Sequence, residues 1–428
     1  MMRTTGSTST ARTSRSRWRS RSRVVVLAGA LVLAALPAGT AAARGGSTHT
    51  VNPGESIQAA VDRAASGDTI RLGAGTFTEA VCIDHKALKI VGAGMGRTTI
   101  TWPDWGQAAP LPEVATNPCW EAHERSDAEG NPRTLADDVS GLFFLYPDGP
   151  VTVSSLSTRN HPANGIVAWG ANGFDVHATS GTGHERYGIS AAASTNIRIA
   201  ANVEKGVDRG APWYAGTGGI GIGDSNGANA RITANWVQGY NLGIFIRESR
   251  GGRITGNTVT GNCVGVLMFD DAATEVPDAT GNVQGGDFRI TANAAVANNR
   301  YCLAGRDGSQ VVSGVGMSVT NADHVTIRAN TVTGNRANVP AGAAPVNYPG
   351  GGLSLVTFAP PPGTLPEGVP GPGPVEHVEV TANHFADNAP VDIFVTPGEP
   401  ANPFLGPAGP GIVIRHNLCS TSNPGGLC

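Results

Sequence analysis

A glycine-led apolar strand followed by Arg-Ile-Thr-x-Asn recurs along most of this chain. The clearest copy is GIFIRESRGGRITGNTVTGNCV at residues 243–264. Related copies lie at 220–239, 287–299, 323–335, 375–388 and 411–417. A pattern that returns about every 22 to 25 residues, apart from insertions, predicts a solenoid in which each copy stacks on the next.

Apolar residues alternate within each copy, as Ile244 and Ile246 do. This is the spacing of a β-strand and not of a helix. Two or three short strands fit in each repeat, separated by turns rich in Gly, Asn and Ser. The pattern predicts an all-β, single-stranded parallel β-helix of about nine to ten coils.

Asparagines recur at two fixed positions of the repeat. Stacked side-chain amides can bond the backbone of the turns above and below, which offsets the cost of burying turn amides. We therefore expect two structural ladders. The first contains Asn202, Asn235, Asn257, Asn293, Asn330, Asn383 and Asn417, and the second contains Asn262, Asn298, Asn335 and Asn388.

Residues 1–43 have the composition of a secretory signal peptide. Seven arginines and no acids precede the apolar stretch 24–36, and Ala41-Ala42-Ala43 provides an A-x-A cleavage site. No other apolar run is long enough to cross a bilayer. We expect a secreted monomer without a membrane span, with cleavage near Ala43.

Loss of this leader would lower the formal net charge from −3 to −10, because seven arginines leave with it. An acidic surface argues against a nucleic-acid partner. It also makes a polyanionic substrate less natural, unless calcium or a local cluster of arginines bridges the charges.

All six cysteines follow the leader, and an oxidising compartment favours disulfides. Six cysteines allow 15 connectivities, of which spacing favours Cys82–Cys119, Cys263–Cys302 and Cys419–Cys428. The absence of a Cys-x-x-Cys pair argues against a zinc or redox site.

The stretch VNPGESIQAAVDRAASGDTIRLGAGTFTE at residues 51–79 begins with a short amphipathic helix at 56–65. Such a helix can cover the open end of a solenoid. The stretch resembles the N-terminal cap and first coil of the right-handed parallel β-helix superfamily, which holds pectate lyases, pectin methylesterases, polygalacturonases and alginate epimerases. The later coils resemble the repeat of carbohydrate-binding proteins and sugar hydrolases. The resemblance covers about residues 50–420 and implies one β-helix domain from 44 to 428 with an N-terminal capping helix.

Several long segments interrupt the repeats, and loops of this length are typical of functional walls beside a sheet. They lie at 102–140, 203–218, 271–286, 300–313, 336–351, 357–374 and 396–410.

Three successive coils carry a carboxylate at one position, namely Asp224, Glu248 and Asp270, with Asp271 just beyond. We expect Val319 and Thr357 at this position in later coils. Neighbouring coils would place two carboxylates about 5 Å apart and alternate coils about 10 Å apart. These separations suit retaining and inverting glycosidases, respectively.

In a glycosidase, Asp270 would be the general acid and Asp224 or Glu248 the base or nucleophile. The same three residues could hold Ca²⁺, which takes oxygen ligands. In the related pectate lyases calcium neutralises the uronate while an arginine abstracts the proton, a role that Arg247 could take. A solvated acidic rim is the alternative.

A second group precedes the strands. His161 and His184 both lie four residues before a coil's opening glycine, and Glu185 and Arg186 follow directly. Together they could bind a sugar or exchange protons with it. Strand rise places this group roughly 20 Å from the carboxylates, and the alternative is a pair of exposed turn histidines.

Two further features suggest sugar chemistry. GFDVHATSG, with Asp175 and His177, is similar to the Gly-Phe-Asp-Pro-His motif of alginate epimerases, except that Val176 replaces the proline. Trp213, like Trp105 and Trp120, lies in an insertion where it could stack on a sugar ring or anchor a loop.

These features predict a secreted polysaccharide-active enzyme, a glycoside hydrolase or a polysaccharide lyase, with a polysaccharide or cell-wall glycan as partner and with Ca²⁺ or no cofactor. The complete motif sets of polygalacturonases and pectin methylesterases are absent, and only Asp270-Asp271 matches part of one. A non-catalytic carbohydrate-binding or cell-surface protein is the alternative.

Overall fold

The computed structural model describes residues 46–103, 119, 139–207, 217–270, 285–304, 310–358, 372–397 and 405–428. The predicted signal peptide, Asp271, Trp105, Trp120 and Trp213 lie outside these residues. In the described part of the chain, no helix has both the length and the apolar character needed to cross a bilayer.

Three long parallel sheets form the domain, and each coil contributes one strand to each sheet in turn. In one coil, for example, Leu242–Arg247 belongs to the first sheet, Arg250–Thr255 to the second and Thr258–Thr260 to the third. The first and second sheets contain 12 strands each and the third contains 10. In the described part of the chain, nine coils contribute a strand to all three sheets and partial coils lie at both ends, in agreement with the nine to ten coils expected from the repeat.

The strands of the first sheet are Val81–Asp84, Leu142–Leu145, Ile166–Trp169, Tyr187–Ala192, Gly218–Gly223, Leu242–Arg247, Val264–Phe269, Val315–Thr320, Gly351–Phe358, Ile393–Val395 and Ser422–Asn423, with Leu405–Gly406 paired antiparallel to Gly351–Phe358.

Those of the second sheet are Thr48–Val51, Thr69–Leu72, Lys89–Val91, Val151–Ser154, Asn172–His177, Thr195–Ala200, Ala230–Thr233, Arg250–Thr255, Gly286–Thr291, Thr326–Arg328, Glu379–Thr381 and Val413–Arg415.

Those of the third sheet are Gly75–Thr78, Thr98–Thr101, Ser157–Arg159, Ser180–Thr182, Val203–Lys205, Trp236–Gln238, Thr258–Thr260, Ala294–Val296, Thr331–Thr333 and His384–Ala386. A separate antiparallel hairpin joins Cys302–Ala304 to Gln310–Val312.

The predicted capping helix is present at Ile57–Arg63. The Ser56 hydroxyl accepts a hydrogen bond from the Ala59 N–H, which satisfies one of the free amides at the helix start. Ile57, Ala60 and Val61 are buried and belong to the main core. The helix thus covers apolar side chains of the first coils that would otherwise face water.

One apolar core runs along the inside of the coils, because alternate residues of every strand point inward. In the coil at 242–260, the buried residues are Ile244, Ile246, Ile254 and Val259. The residues between them point away from this core, so each strand of the first sheet places one residue on the outer face between two core residues.

Both asparagine ladders are confirmed. Asn257 Oδ1 accepts from the backbone N–H and from Nδ2 of Asn235, each at 2.9 Å. Its own Nδ2 donates to Ile232 O at 3.0 Å and to Asn293 Oδ1 at 2.9 Å. The second ladder repeats this arrangement, with Asn262 Nδ2 donating to Asn298 Oδ1 at 2.9 Å.

The second ladder explains why a glycine opens the strands of the first sheet. A Cβ at Gly243 would lie 2.9 Å from Nδ2 of Asn262, and a Cβ at Gly265 would lie 2.8 Å from Nδ2 of Asn298. The ladder amides, together with the still nearer carbonyl oxygen of the aligned glycine in the next coil, therefore occupy the space that any larger residue would need.

Three disulfides, Cys82–Cys119, Cys263–Cys302 and Cys419–Cys428, match the pairing that spacing favours. The first two each join a coil to an inserted segment, which fixes the insertion against the outside of the solenoid.

We expect Asn257→Ala to lower the free energy of unfolding by roughly 2 to 4 kcal/mol, because it leaves several buried amide and carbonyl groups without partners. Chemical denaturation followed by circular dichroism would measure the change. Asn172→Ala is the matched control, since the Asn172 side chain is exposed and bonds only at the surface. Equal losses for the two variants would contradict the structural role of the ladder.

Candidate functional site

The three predicted carboxylates lie at one corner of successive coils. Strand pairing aligns Gly223 with Arg247 and Arg247 with Phe269, so Asp224, Glu248 and Asp270 follow in register. The backbone N–H of Asp224 donates to Arg247 O, and that of Glu248 to Phe269 O. This is the corner where the chain turns from the first sheet to the second.

The next coil departs from the predicted register. Phe269 pairs with Thr320, so the residue after Asp270 in the column is Asn321 and not Val319. The Asn321 Nδ2 donates to Asp270 O at 2.9 Å. The error arose because Gly316, and not Gly314, is the glycine that aligns with Gly265.

The three carboxylates have different surroundings. The Asp224 side chain is 36% exposed, whereas that of Glu248 is fully buried and Asp270 has no exposed surface. The Asp270 carboxylate accepts a hydrogen bond from the Gly285 backbone N–H. Stacking therefore aligns the three residues, but only Asp224 presents its carboxylate to solvent.

Arg247 links two members of this column. Its Nη2 lies 2.8 Å from Oε1 of Glu248, and its Nη1 lies 3.7 Å from Oδ1 of Asp224. The buried Glu248 thus orients the guanidinium, which points along the outer face of the first sheet beside Asp224.

A groove of about 310 Å³ lies on the outer face of the first sheet, between Arg186 and Asp224. Outward-facing residues of four neighbouring strands form its floor and sides. They include Trp169, Ser190, Ala192, Gly221, Gly223, Phe245 and Arg247. Tyr187 and Thr217 line it at the end nearer Arg186.

The small residues of one strand create the depth of this groove. At Gly223, a Cβ would meet no atom within 4 Å, so the space above it is open. At Gly221, a Cβ would lie 2.6 Å from the ring of Tyr187, so the aromatic ring rests on the backbone of this strand. The sequence GGIGIG therefore supplies two inward isoleucines and an outer surface without side chains.

Apolar clusters cover the outer face of the first sheet on both sides of the groove. Toward the N-terminus, Phe143, Leu145 and Val167 pack with the Cys82–Cys119 disulfide. Toward the C-terminus, Val312 and Tyr348 pack on outward-facing residues of the strands beginning at Val264 and Val315. Val312 and Tyr348 belong to the interruptions 300–313 and 336–351, respectively.

Of the second predicted group, only Arg186 lines the groove. Arg186 and Asp224 lie at opposite ends of it, so the groove includes both ends of the first-sheet strands. The distance between the two predicted groups along the strands therefore does not prevent one extended ligand from contacting both Arg186 and Asp224.

His161 and His184 stack in neighbouring coils, with ring centroids 5.4 Å apart, but both are buried. His184 Nε2 lies 2.9 Å from the Thr158 hydroxyl, and its Nδ1 accepts the His161 N–H at 3.3 Å. They are neither exposed turn histidines nor groove residues. Their burial argues against contact with a substrate, and we leave them out of the proposed site.

A second buried group lies inside the same coils. Glu204 points into the solenoid from the third sheet, and burial raises the pKa of its carboxyl well above the usual value. The Tyr240 hydroxyl donates to Glu204 Oε2 at 3.4 Å. A Cβ at Gly181 or Gly188 would collide with this carboxyl, so the two glycines provide its space.

The epimerase-like motif lies on the second sheet. Phe174 and Val176 are buried, as expected, while Asp175 and His177 face outward. Asp175 Oδ1 lies 2.9 Å from His177 Nδ1 and 2.6 Å from Arg198 Nη1. This group is on a different sheet from the groove and does not line it.

One cluster in the described part of the chain has three His, Cys, Asp or Glu ligand atoms within 4.8 Å of one another, and it consists of Asp323, His324 and His377. His324 Nδ1 and His377 Nδ1 lie 2.6 and 3.0 Å from Asp323 Oδ1. The carboxylate column is not such a cluster, so Ca²⁺ at Asp224, Glu248 and Asp270 remains a prediction.

The groove includes residues that the sequence analysis did not single out as a site. Tyr187, Gly221, Gly223 and Phe245 occupy outward positions of the glycine-led strands. The sequence feature that could have identified these groove residues is the residue between the two core positions of each strand. It is Gly221 in one copy and Phe245 in the next.

We expect His161→Gln to reduce the loss of stability on acidification. Burial lowers the pKa of His161 from 6.5 to about 4. A histidine with a depressed pKa charges first in the unfolded chain, so its contribution to stability falls as the pH drops from about 6.5 to about 4. Between these two pH values, the free energy of unfolding of the wild type should fall by roughly 3 kcal/mol more than that of the variant.

Denaturation at several pH values would measure this difference. His85→Gln is the control because the His85 side chain is 68% exposed, and its pH dependence should match the wild type. Parallel curves for wild type and His161→Gln would show that burial does not depress this pKa.

Comparison with known proteins agrees with the fold. A family model described as "Right handed beta helix region" matches residues 164–357. No curated protein matches this sequence.

The catalytic domain of a GH87 alpha-1,3-glucanase in complex with nigerose superposes with a TM-score of 0.51 at 12% identity. The match covers 87% of this chain and 58% of the glucanase chain. The periplasmic alginate epimerase AlgG superposes with a TM-score of 0.41 at 14% identity, over 88% of this chain and 84% of the epimerase. At these identities the likeness concerns the fold alone. The three sheets and the family match over residues 164–357 together show that the chain has the fold of a right-handed parallel β-helix.

Proposed function

We propose that this protein binds and cleaves a polysaccharide in the groove on the outer face of the first sheet. The observation that carries the proposal is the convergence of an exposed carboxylate, two arginines and three aromatic rings on an open floor of small residues. Concave sites with a few oriented polar groups are typical of ligand-binding sites.

The aromatic residues have the form that sugar binding requires. Trp169 and Tyr187 lie on one side of Gly223 and Phe245 lies on the other. Aromatic faces pack against the apolar faces of sugar rings, while polar groups at the edges bond the hydroxyls. The groove extends across the strands and so suits a chain of several sugars.

Asp224 is the candidate acid or base in this proposal. It takes the role that the sequence analysis gave to Asp270, because Asp224 lines the groove and Asp270 has no exposed surface. Arg247 would bind a carboxylate or hydroxyl of the sugar beside Asp224, and Glu248 would hold the guanidinium in place.

Elimination suits this arrangement better than hydrolysis. Both types of glycosidase generally need two carboxylates that reach the substrate. Among the described residues that line the groove, Asp224 is the one carboxylate. A lyase needs a base and a positive group near an acidic sugar, which Asp224 and Arg247 or Arg186 could supply.

The same observation favours a second function, a carbohydrate-binding protein without catalysis. A single exposed carboxylate flanked by arginine can recognise a sugar without cleaving it. Secretion is part of both proposals, because three disulfides are typical of proteins in oxidising compartments.

Incubation with a panel of neutral and acidic polysaccharides separates these functions. Release of reducing ends together with ultraviolet absorbance of an unsaturated product indicates elimination, and reducing ends alone indicate hydrolysis. Binding without either product supports the non-catalytic function. Absence of both binding and products across the panel would contradict the proposal.

We expect Asp224→Asn to lower the cleavage rate by about 100-fold or more, because it removes the proton-transfer group. Asp287→Asn is a matched control, since both aspartates are at least one-third exposed and have positive φ, 48° and 54°. The control should retain wild-type activity. Wild-type turnover by Asp224→Asn would exclude this residue as the acid or base.

We further expect Gly223→Trp to abolish polysaccharide binding without loss of thermal stability, because the indole would fill the open space above the floor. Gly425→Trp is the control, because a Cβ at Gly425 also meets no atom within 4 Å. Isothermal titration calorimetry and thermal unfolding would measure both effects. Unchanged binding by Gly223→Trp would place the ligand elsewhere.

A further inference from the structure

Four arginines form a straight column on the outer face of the second sheet. Strand pairing aligns Arg198 with Arg231, Arg231 with Arg253 and Arg253 with Arg289. All four are exposed. Since neighbouring strands lie about 4.8 Å apart, the column spans about 14 Å with one positive charge per strand. We call these four residues the arginine ladder.

Without a bound partner, the arginine ladder lowers the stability of the sheet, because like charges that face each other on neighbouring strands repel. Two acids of the same sheet already contact arginines. Asp175 lies 2.6 Å from Arg198, and Asp287 lies 2.9 Å from Arg250. Within the described part of the chain, Arg231, Arg253 and Arg289 form no ion pair or side-chain hydrogen bond.

A column of hydroxyl groups runs beside the ladder. Thr233, Thr255 and Thr291 occupy the outward position two residues further along the same strands. The hydroxyls of Thr255 and Thr291 are 3.0 Å apart and hydrogen-bonded. The surface therefore presents paired rows of guanidinium and hydroxyl groups with the period of the coil.

We propose that the arginine ladder and the neighbouring threonines bind a linear acidic polysaccharide that bears a carboxylate on its sugar rings. Guanidinium groups bind carboxylates through two parallel hydrogen bonds. A sugar chain lying along the solenoid axis runs parallel to the column, so carboxylates on one side of the chain lie beside arginines that repeat about every 4.8 Å. The threonine hydroxyls then face the ring hydroxyls.

The local charge of the arginine ladder contrasts with the net charge of the whole chain, and this contrast favours binding of a polyanion at the ladder. The formal net charge of the whole chain is −3, whereas the ladder carries four positive charges on neighbouring strands, so it attracts a polyanion locally. Each exposed ion pair contributes little, and affinity comes from several of them acting together on one chain. The ladder lies on a different sheet from the groove, and this inference does not depend on the proposed function.

Binding of a size-defined polygalacturonate oligomer to the full chain, measured by calorimetry at low salt, tests the proposal. The variant Arg231→Gln/Arg253→Gln/Arg289→Gln should bind at least about tenfold more weakly. Wild-type affinity should fall as salt is raised from about 50 to about 200 mM, because screening weakens exposed charge pairs. Binding of a neutral oligosaccharide of the same length should not depend on the three arginines.

The control variant Arg63→Gln/Arg71→Gln/Arg97→Gln removes the same charge from exposed positions outside the ladder, and it should bind like the wild type. The ladder variant should unfold at the same temperature as the wild type or higher, since repulsion is removed. The loss of affinity caused by the three Arg→Gln changes should be the same in the Gly223→Trp background, in which the groove is blocked, and this separates the ladder from the groove.

Equal losses of binding affinity in the ladder variant and the control variant would show a general charge effect and overturn the proposal. A lower unfolding temperature in the ladder variant, with unchanged binding, would show that the arginines stabilise the sheet. Tighter ladder-dependent binding of single-stranded DNA than of polygalacturonate would assign the surface to nucleic acid.

Discussion

Hydrogen bonds between stacked asparagines hold the coils of this solenoid in register. A turn in every coil buries backbone amides away from water, and each ladder asparagine bonds the turn on either side of it. Because the side chains also bond one another, a displaced coil would leave several buried groups without partners. The inward isoleucines and valines supply the apolar burial, but they do not by themselves specify which residue stacks on which.

The ladders leave the outer surfaces free to vary. In earlier coils, His161, His184 and Tyr240 occupy the corner at which later coils carry an asparagine of the second ladder. This corner lies next to the buried Glu204. On the outside, one strand of glycines forms the groove floor, while another column of the same coils carries arginines. Function in this fold thus depends on outward positions that contribute little to the core.

Insertions decide which outward positions reach solvent. The first sheet presents apolar residues along much of its outer face, and two covered clusters hide them on either side of the groove. The Cys82–Cys119 and Cys263–Cys302 disulfides hold inserted segments against these clusters. The groove is therefore the part of the first sheet that carries small residues and that no described insertion covers.

The sequence alone determined the parallel β-helix, the capping helix, both asparagine ladders, the three disulfide pairs and the alignment of Asp224 with Glu248 and Asp270. The β-helix, the asparagine ladders and the carboxylate alignment depend on the repeat period, which fixes the position of a residue within its coil. The capping helix depends on an amphipathic pattern, and the disulfide pairing depends on cysteine spacing. Only the tertiary structure decided that Asp224 is exposed while Glu248 and Asp270 are buried, and that His161 and His184 lie inside a turn. Burial at a coil corner depends on the direction of the side chain and on chain segments that are distant in sequence. The period of the repeat gives no information on either of them.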